Sequence, residues 1–126
     1  MESKTLDCPV DRTLNLINKK WSIQILRDMF FGKKHFSEFK EGKSKLSNKV
    51  LSECLKNLED NGLIKKEVLN TTPVTTQYNL TEYGRSMNRI IYELAMFTLD
   101  SENNSYTSDE KKFLKDTFKK QLNIGD

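Results

Sequence analysis

Several residue types are scarce in this 126-residue chain, and each scarcity excludes a class of protein. Five glycines and two prolines are too few for a collagen-like or loop-rich all-β protein. Two cysteines, Cys8 and Cys54, cannot build a disulfide scaffold, so we expect both thiols to be reduced. Because His35 is the single histidine, a zinc site of the usual Cys/His type lacks ligands. The longest apolar run covers only residues 94–97, which excludes a transmembrane segment.

The composition nevertheless supplies enough apolar material for one folded domain. Hydrophobic residues make up 36% of the chain, and the aromatic residues are seven Phe, four Tyr and one Trp, which argues against intrinsic disorder. The net charge is only +3, but residues 33–66 hold nine lysines against five carboxylates. This local excess of positive charge points to an anionic partner. Residues 1–5 contain no apolar signal core, and we therefore expect a cytoplasmic protein.

Apolar periodicity and capping residues predict six helices and one β-hairpin. Pro9 suits the first position of a helix, Ser47 and Thr81 suit N-caps, and Thr107-x-x-Glu110 is a capping box. The inner face of the first helix is predicted to comprise Val10, Leu14 and Ile17. The later elements are predicted as helices over residues 20–31, 36–41 and 48–61, strands over 63–69 and 75–80, and helices over 82–99 and from 108 onward.

Compact helices followed directly by a β-hairpin are the element order of a winged helix-turn-helix. We therefore predict a mainly α fold with a small β-hairpin wing (α+β) and a long C-terminal dimerisation helix. The apolar stripe of this dimerisation helix, predicted over residues 82–99, includes Met87, Ile90, Ile91 and Leu94. The predicted domains are an N-terminal arm over residues 1–7, the winged helix-turn-helix over 8–100, and a linker with an extra helix over 101–126.

The helix that begins after residue 47 has one leucine-rich face and one polar face. The stripe predicted to be buried comprises Val50, Leu51, Leu55 and Leu58. The polar residues near the start of the helix are Ser47, Asn48, Lys49, Ser52 and Lys56. Asn and Lys side chains can bind adenine and guanine edges, and the N-terminal half of a recognition helix enters the major groove. We therefore predict that these residues bind DNA; an ordinary solvated helix face is the alternative.

Lysines in the turns around this helix are predicted to contact DNA phosphates, each adding about 0.9 to the salt dependence of binding. They are Lys33, Lys34, Lys43, Lys45, Lys65 and Lys66. The hairpin tip, Asn70, Thr71 and Thr72, can also hydrogen-bond a phosphate. A solubilising surface and a solvated turn are the alternative interpretations.

Three blocks of the sequence carry a family resemblance. They are CPVDRTLNLINKKWSIQILRDMFFGKKHFSEFK, LSNKVLSECLKNLEDNGLIKKEV and TPVTTQYNLTEYGRSM. Their joint features include the Cys-Pro opening, the Lys20-Trp21 pair and the Tyr-x-Leu-Thr-x-x-Gly-Arg stretch. In this order they resemble the HxlR-type family of bacterial winged-helix transcriptional regulators over residues 8 to about 99. One departure is the segment after Pro73, where family wings commonly carry a basic residue and this chain has none.

The resemblance implies a sequence-specific, DNA-binding transcriptional regulator that acts as a repressor. A homodimer is expected because one domain reads few base pairs, and two-fold pairing suits a palindromic operator in double-stranded DNA. No enzymatic activity, cofactor, metal or membrane partner is expected, and the sequence assigns no small-molecule effector. The alternative is a winged-helix protein-interaction module without DNA binding.

Cys8 precedes Pro9, so its thiol is predicted to lie at a helix N-terminus, where the helix dipole and Arg12 favour a reactive thiolate. Some members of the resembling family sense oxidants or quinones with a cysteine at this position, and others do not. The resemblance therefore implies redox or electrophile sensing through Cys8 as one hypothesis. A thiol enzyme using Cys8 is the competing hypothesis. Cys54, four residues after Val50, is predicted to be packed and inert.

Overall fold

The computed structural model describes residues 6–125, which form seven helices and one two-stranded sheet. Residues 1–5, with most of the predicted N-terminal arm, and residue 126 lie outside the described residues. No helix in the described part of the chain is long and apolar enough to cross a membrane. The elements are α1 (Pro9–Leu16), α2 (Ser22–Phe30), α3 (Phe36–Phe39), α4 (Asn48–Asp60), β1 (Ile64–Leu69), β2 (Thr75–Leu80), α5 (Glu82–Arg85), α6 (Asn88–Leu99) and α7 (Ser108–Gln121).

Helices α3 and α4 and the tight connection between them form the predicted helix-turn-helix. The hydroxyl of Ser47 accepts a hydrogen bond from the Val50 backbone N–H at 3.1 Å, which confirms Ser47 as the N-cap of α4. Gly42 has φ +73°, a conformation that side chains with a Cβ adopt only with strain. Helix α3 ends at Phe39, two residues before the predicted boundary.

The wing is an antiparallel hairpin that is anchored to the helix-turn-helix. Its register pairs Ile64 with Leu80. The backbone N–H of Tyr78 donates to the carbonyl oxygen of Lys34 at 2.7 Å, so the chain before α3 joins the outer edge of β2. The Nδ1 atom of His35 also lies 3.0 Å from the Thr76 carbonyl oxygen. Movement of the wing is therefore linked to the start of α3.

The prediction of one long helix over residues 82–99 is wrong. Thr81 caps the first turn as predicted, its hydroxyl accepting from the Gly84 N–H at 3.0 Å, but α5 ends at Arg85 and α6 begins at Asn88. A Cβ on Gly84 would lie 2.0 Å from the Leu63 carbonyl oxygen, so only glycine fits at this crossing. The chain breaks here because α5 packs on the hairpin, whereas α6 packs on α7.

The core is formed by α2, α4, the base of the hairpin and α6. The predicted buried stripe of α4 needs one correction, because Val50 is 40% exposed and Cys54 takes its place beside the three leucines. The predicted inner face of α1 is confirmed only at Ile17, which is partly buried against the core. Val10 and Leu14 are 64% and 55% exposed, so this part of the prediction is wrong within one chain.

Helix α7 returns to this core. Its capping box is confirmed, because the Thr107 hydroxyl accepts from the Glu110 N–H and the Glu110 carboxylate accepts from the Thr107 N–H. The rings of Phe118 and Phe31 are 5.1 Å apart, and Leu122 is fully buried. The C-terminal tail therefore packs into the same hydrophobic core as the winged helix.

Candidate DNA-binding interface

The predicted base-reading residues lie together on the exposed face of α4. The side chains of Asn48, Lys49, Ser52 and Lys56 are exposed, whereas the opposite face of the helix is buried in the core. Ser47 stands at the N-terminus of the helix, with its hydroxyl engaged as the cap. The start of α4 therefore offers amide, ammonium and hydroxyl groups to a ligand in front of it, which is the chemistry that reads base edges.

The lysines around this face differ in how freely they can bind a phosphate. Within residues 6–125, neither Lys45 nor Lys49 makes an ion pair. Lys56 pairs with Asp60 at 3.2 Å and Lys65 with Glu67 at 3.6 Å on the surface, and the partly buried Lys33 pairs with the exposed Glu41 at 3.4 Å. Exposed ion pairs contribute little free energy, so a DNA phosphate can displace the carboxylate in each of them.

Lys43 is not available to a phosphate, contrary to the prediction. Its side chain is 7% exposed, and its ammonium group pairs with the carboxylate of Asp28 on α2. The same carboxylate accepts hydrogen bonds from Arg27 Nε at 3.2 Å and Nη2 at 3.0 Å. The turn before α4 folds over Lys43, so this residue fixes the helix-turn-helix connection on α2. Sequence position alone grouped it with the surface lysines.

Two features of this face were missed by the sequence analysis. The ammonium group of Lys40, which follows α3, donates to the side-chain oxygen of Asn48. Val50 is partly exposed in the first turn of α4, beside the polar residues. An eight-residue separation across a turn has no periodic signal, so only the folded chain reveals that Lys40 positions Asn48.

The segment with Lys33 and Lys34 is held by Glu38. Its carboxylate accepts hydrogen bonds from the backbone N–H groups of Lys34 and His35, each at 2.9 Å. These hydrogen bonds to the charged form lower the pKa of Glu38. The carboxylate therefore stays ionised at neutral pH and fixes the backbone that leads into α3.

The wing tip is exposed and ordered by its own hydrogen bond. Asn70, Thr71 and Thr72 are all exposed. The Thr71 hydroxyl donates to the Pro73 carbonyl oxygen at 2.7 Å. Asn70 and Thr72 are thus the tip side chains that remain open to a ligand in front of the hairpin.

The two thiols lie in opposite environments. Cys8 is exposed at the N-cap of α1, whereas Cys54 is 1% exposed, as predicted. The Sγ atom of Cys54 lies 3.8 Å from the Ser22 hydroxyl oxygen, and burial raises the pKa of the Cys54 thiol. A reagent in solvent therefore reaches only Cys8. In residues 6–125, no three His, Cys, Asp or Glu side chains come together in a way that could hold a metal ion.

Comparison with known families decides the nature of this site. A family model described as HxlR-like helix-turn-helix matches residues 16–106, most of the chain. The chain belongs to the HxlR family. This membership confirms the resemblance found in the sequence, and the HxlR-family protein is accordingly a DNA-binding transcriptional regulator of the helix-turn-helix type.

Relatives and solved structures agree with this assignment. The helix-turn-helix-type regulator YtcD of Bacillus subtilis (strain 168) is 36% identical over 106 residues, 84% of this chain and 84% of YtcD. The oxidised form of the redox regulator HypR has a TM-score of 0.70 at 31% identity, covering 77% of this chain and 100% of HypR. The reduced form of the regulator YodB from B. subtilis has a TM-score of 0.66 at 32% identity, covering 79% of this chain and 100% of YodB. The winged-helix fold is therefore confirmed, and these relatives are named as regulators, not enzymes.

Proposed function

We propose that this HxlR-family protein is a homodimeric repressor that reads a palindromic operator, with α4 in the major groove and the wing against the backbone. The exposed start of α4 carries the proposal, because Asn48, Lys49 and Ser52 offer base-reading groups on one surface. Lys45 next to it, which makes no ion pair within residues 6–125, supplies a phosphate contact, and Lys33, Lys34 and Lys56 belong to the same proposed surface. A cytoplasmic location, with access to the operator, completes the proposal.

Exposed apolar side chains on α1 and α6 support the homodimer. Val10, Leu14, Leu94 and Phe97 are 64%, 55%, 52% and 83% exposed. Large exposed apolar groups are characteristic of protein interfaces when they are clustered, and Leu94 and Phe97 lie one turn apart on α6. A symmetric dimer through the α6 cluster, with α1 beside it, is expected to present two α4 helices to half-sites about one DNA turn apart, about 34 Å.

If α4 is the recognition helix, substitutions should weaken DNA binding in two different ways. We expect Asn48→Ala and Lys49→Ala each to weaken operator binding by about 1–3 kcal/mol and to relax preference at one or two base pairs. Lys45→Ala should weaken operator and random duplex alike and lower the salt slope by about 0.9. Operator sequences are first selected from a random duplex library, and fluorescence anisotropy at several salt concentrations measures both quantities.

Glu59→Ala is the matched control, because Glu59 is exposed on the same helix but lies in its last turn, away from the residues proposed to contact base edges. Unchanged operator affinity in both the Asn48 and Lys49 variants would show that α4 is not the element that contacts base edges. A protein-interaction module, the competing function, would show no steep salt dependence on random duplex.

We further propose that Cys8 senses oxidants or electrophiles, since it is the exposed thiol and adjoins the exposed apolar residues of α1. The similarity to the redox regulator HypR supports this step. Modification at the edge of the proposed dimer surface would change the spacing of the two α4 helices without touching a DNA-binding residue. A thiol enzyme would turn over its substrate, whereas a sensor reacts once.

The thiol prediction uses Cys54 as an internal control. In the folded protein we expect iodoacetamide to alkylate Cys8 completely and Cys54 only after unfolding, as read by intact and peptide mass spectrometry. Alkylation of Cys8 by iodoacetamide, which forms an S–C bond and releases iodide, should then change operator affinity in the wild type and in Cys54→Ala but not in Cys8→Ser. An equal response of the wild type and Cys8→Ser would show that the signal enters elsewhere.

A further inference from the structure

A groove of about 360 Å³ lies behind the wing, between five parts of the fold. Its walls come from Met29 at the end of α2, Tyr78 on β2, Arg85 at the end of α5, Asn88 at the start of α6 and Leu122 in the tail. We call it the basic groove. A volume of this size is within the range of small-molecule sites.

The groove concentrates positive charge without a compensating acid. Lys33, Lys34 and Arg85 line it, and no carboxylate among the described residues does so. Lys33 is paired with Glu41 outside the groove at 3.4 Å. Within residues 6–125, the side chains of Lys34 and Arg85 make neither an ion pair nor a hydrogen bond. Two cations are thus left to bind an anion, and guanidinium groups bind carboxylates with two parallel hydrogen bonds.

The remaining lining sets the size and polarity of the ligand. The apolar and aromatic side chains of the lining that remain partly exposed are Phe30 and Tyr78, whereas Met29, Leu80 and Leu122 are buried. The side-chain nitrogen of Asn88 donates to the Leu122 carbonyl oxygen at 2.9 Å, which ties the start of α6 to the tail beside the groove. Partly exposed aromatic rings together with the cations of Lys34 and Arg85 suit a molecule with one acidic group and one apolar body.

We propose that the basic groove binds a small organic anion, of the aromatic carboxylate class, and that this anion regulates DNA binding. The carboxylate pairs with Arg85 and Lys34, and the apolar body packs on the partly exposed rings of Phe30 and Tyr78. The binding step stands independently, whereas the regulatory step rests on the proposed function.

The residues that line the groove link ligand binding there to operator affinity. The backbone of Lys34 is hydrogen-bonded to Tyr78 on the wing, and Asn88 belongs to α6, which carries the proposed dimer surface. A bound anion also neutralises Lys34, a predicted phosphate contact. Occupancy should therefore weaken operator binding, and by linkage the operator weakens anion binding by the same factor.

Benzoate is the probe, titrated up to about 10 mM into the full-length protein without DNA and followed by amide chemical shifts. We expect saturable shifts at Met29, Tyr78 and Leu122, and little binding of the neutral isostere benzamide. Arg85→Gln should weaken benzoate binding by about tenfold, because it removes a charge-assisted pair. Arg89→Gln is the matched control, since Arg89 is exposed on α6 and does not line the groove.

The proposed site is rejected if the wild type and Arg85→Gln bind benzoate equally, or if the wild type shows no saturable change in amide chemical shifts. Loss of random-duplex affinity in Arg85→Gln without any benzoate binding also overturns it, and assigns these cations to DNA phosphate. Once the site is established, saturating benzoate should weaken operator binding at least about fivefold in the wild type and not in Arg85→Gln. Benzoate binding with unchanged operator affinity rejects the regulatory step alone. Unchanged operator affinity in both the Asn48→Ala and Lys49→Ala variants instead rejects the proposed function.

Discussion

Replacing Asp28 with Asn is expected to lower the free energy of unfolding by about 3–5 kcal/mol, because it leaves the Lys43 ammonium group buried without its anion. Both side chains are less than a tenth exposed, and Lys43 has no other carboxylate partner in the described residues. The substitution keeps the shape of the side chain, so no cavity forms. Urea unfolding followed by circular dichroism measures the change.

Asp60→Asn is the matched control for this substitution. Asp60 pairs with Lys56 on the surface of α4 at 3.2 Å, where both side chains are mostly exposed. Its replacement should change stability by no more than about 0.5 kcal/mol. If the two variants unfold at the same urea concentration, the buried pair does not fix the helix-turn-helix connection, and Lys43 returns to the group of ordinary surface lysines.

Introducing aspartate at both Leu94 and Phe97 is expected to convert the protein to a folded monomer. These side chains are exposed in one chain and lie in the proposed interface, where two unpaired carboxylates would be buried against apolar groups. Operator affinity should fall at least about 100-fold, because two half-site contacts no longer act as one bivalent unit. Sedimentation velocity measures the oligomeric state, and anisotropy measures the affinity.

The double variant Asn103→Asp with Ser105→Asp adds the same charge to the exposed link after α6 and should remain a dimer. Ile91 is unsuitable for this test although the sequence placed it in the dimer stripe. It is 3% exposed in the core, so its replacement would unfold the chain. A tight dimer in the Leu94 and Phe97 variant would locate the interface elsewhere.

The sequence predicted those parts of the fold that depend on neighbouring residues. The caps at Ser47, Thr81 and Thr107 are in place, and the hairpin strands match the predicted bounds within one residue. Caps and turns depend on contacts three or four residues apart, so a linear pattern records them. The polar start of α4 was predictable for the same reason, because helical periodicity separates its two faces.

Tertiary structure alone decided which predicted faces are covered. The stripe on residues 87–99 reads as one apolar surface in the sequence, but α6 buries Ile91 in the core and leaves Leu94 and Phe97 outside. Lys43 could be separated from the surface lysines only by the fold, which brings it against Asp28 fifteen residues earlier. The basic groove gathers residues from α2, β2, α5, α6 and the tail.

The physical reason is the separation along the sequence between the residues that interact. Hydrogen bonds within a turn and the period of a helix are local, so the sequence by itself determined the helices, the hairpin and the polar face of α4. Burial depends on which distant elements pack together, so the break at residues 86–87, the partner of Lys43 and the basic groove exist only in the folded chain.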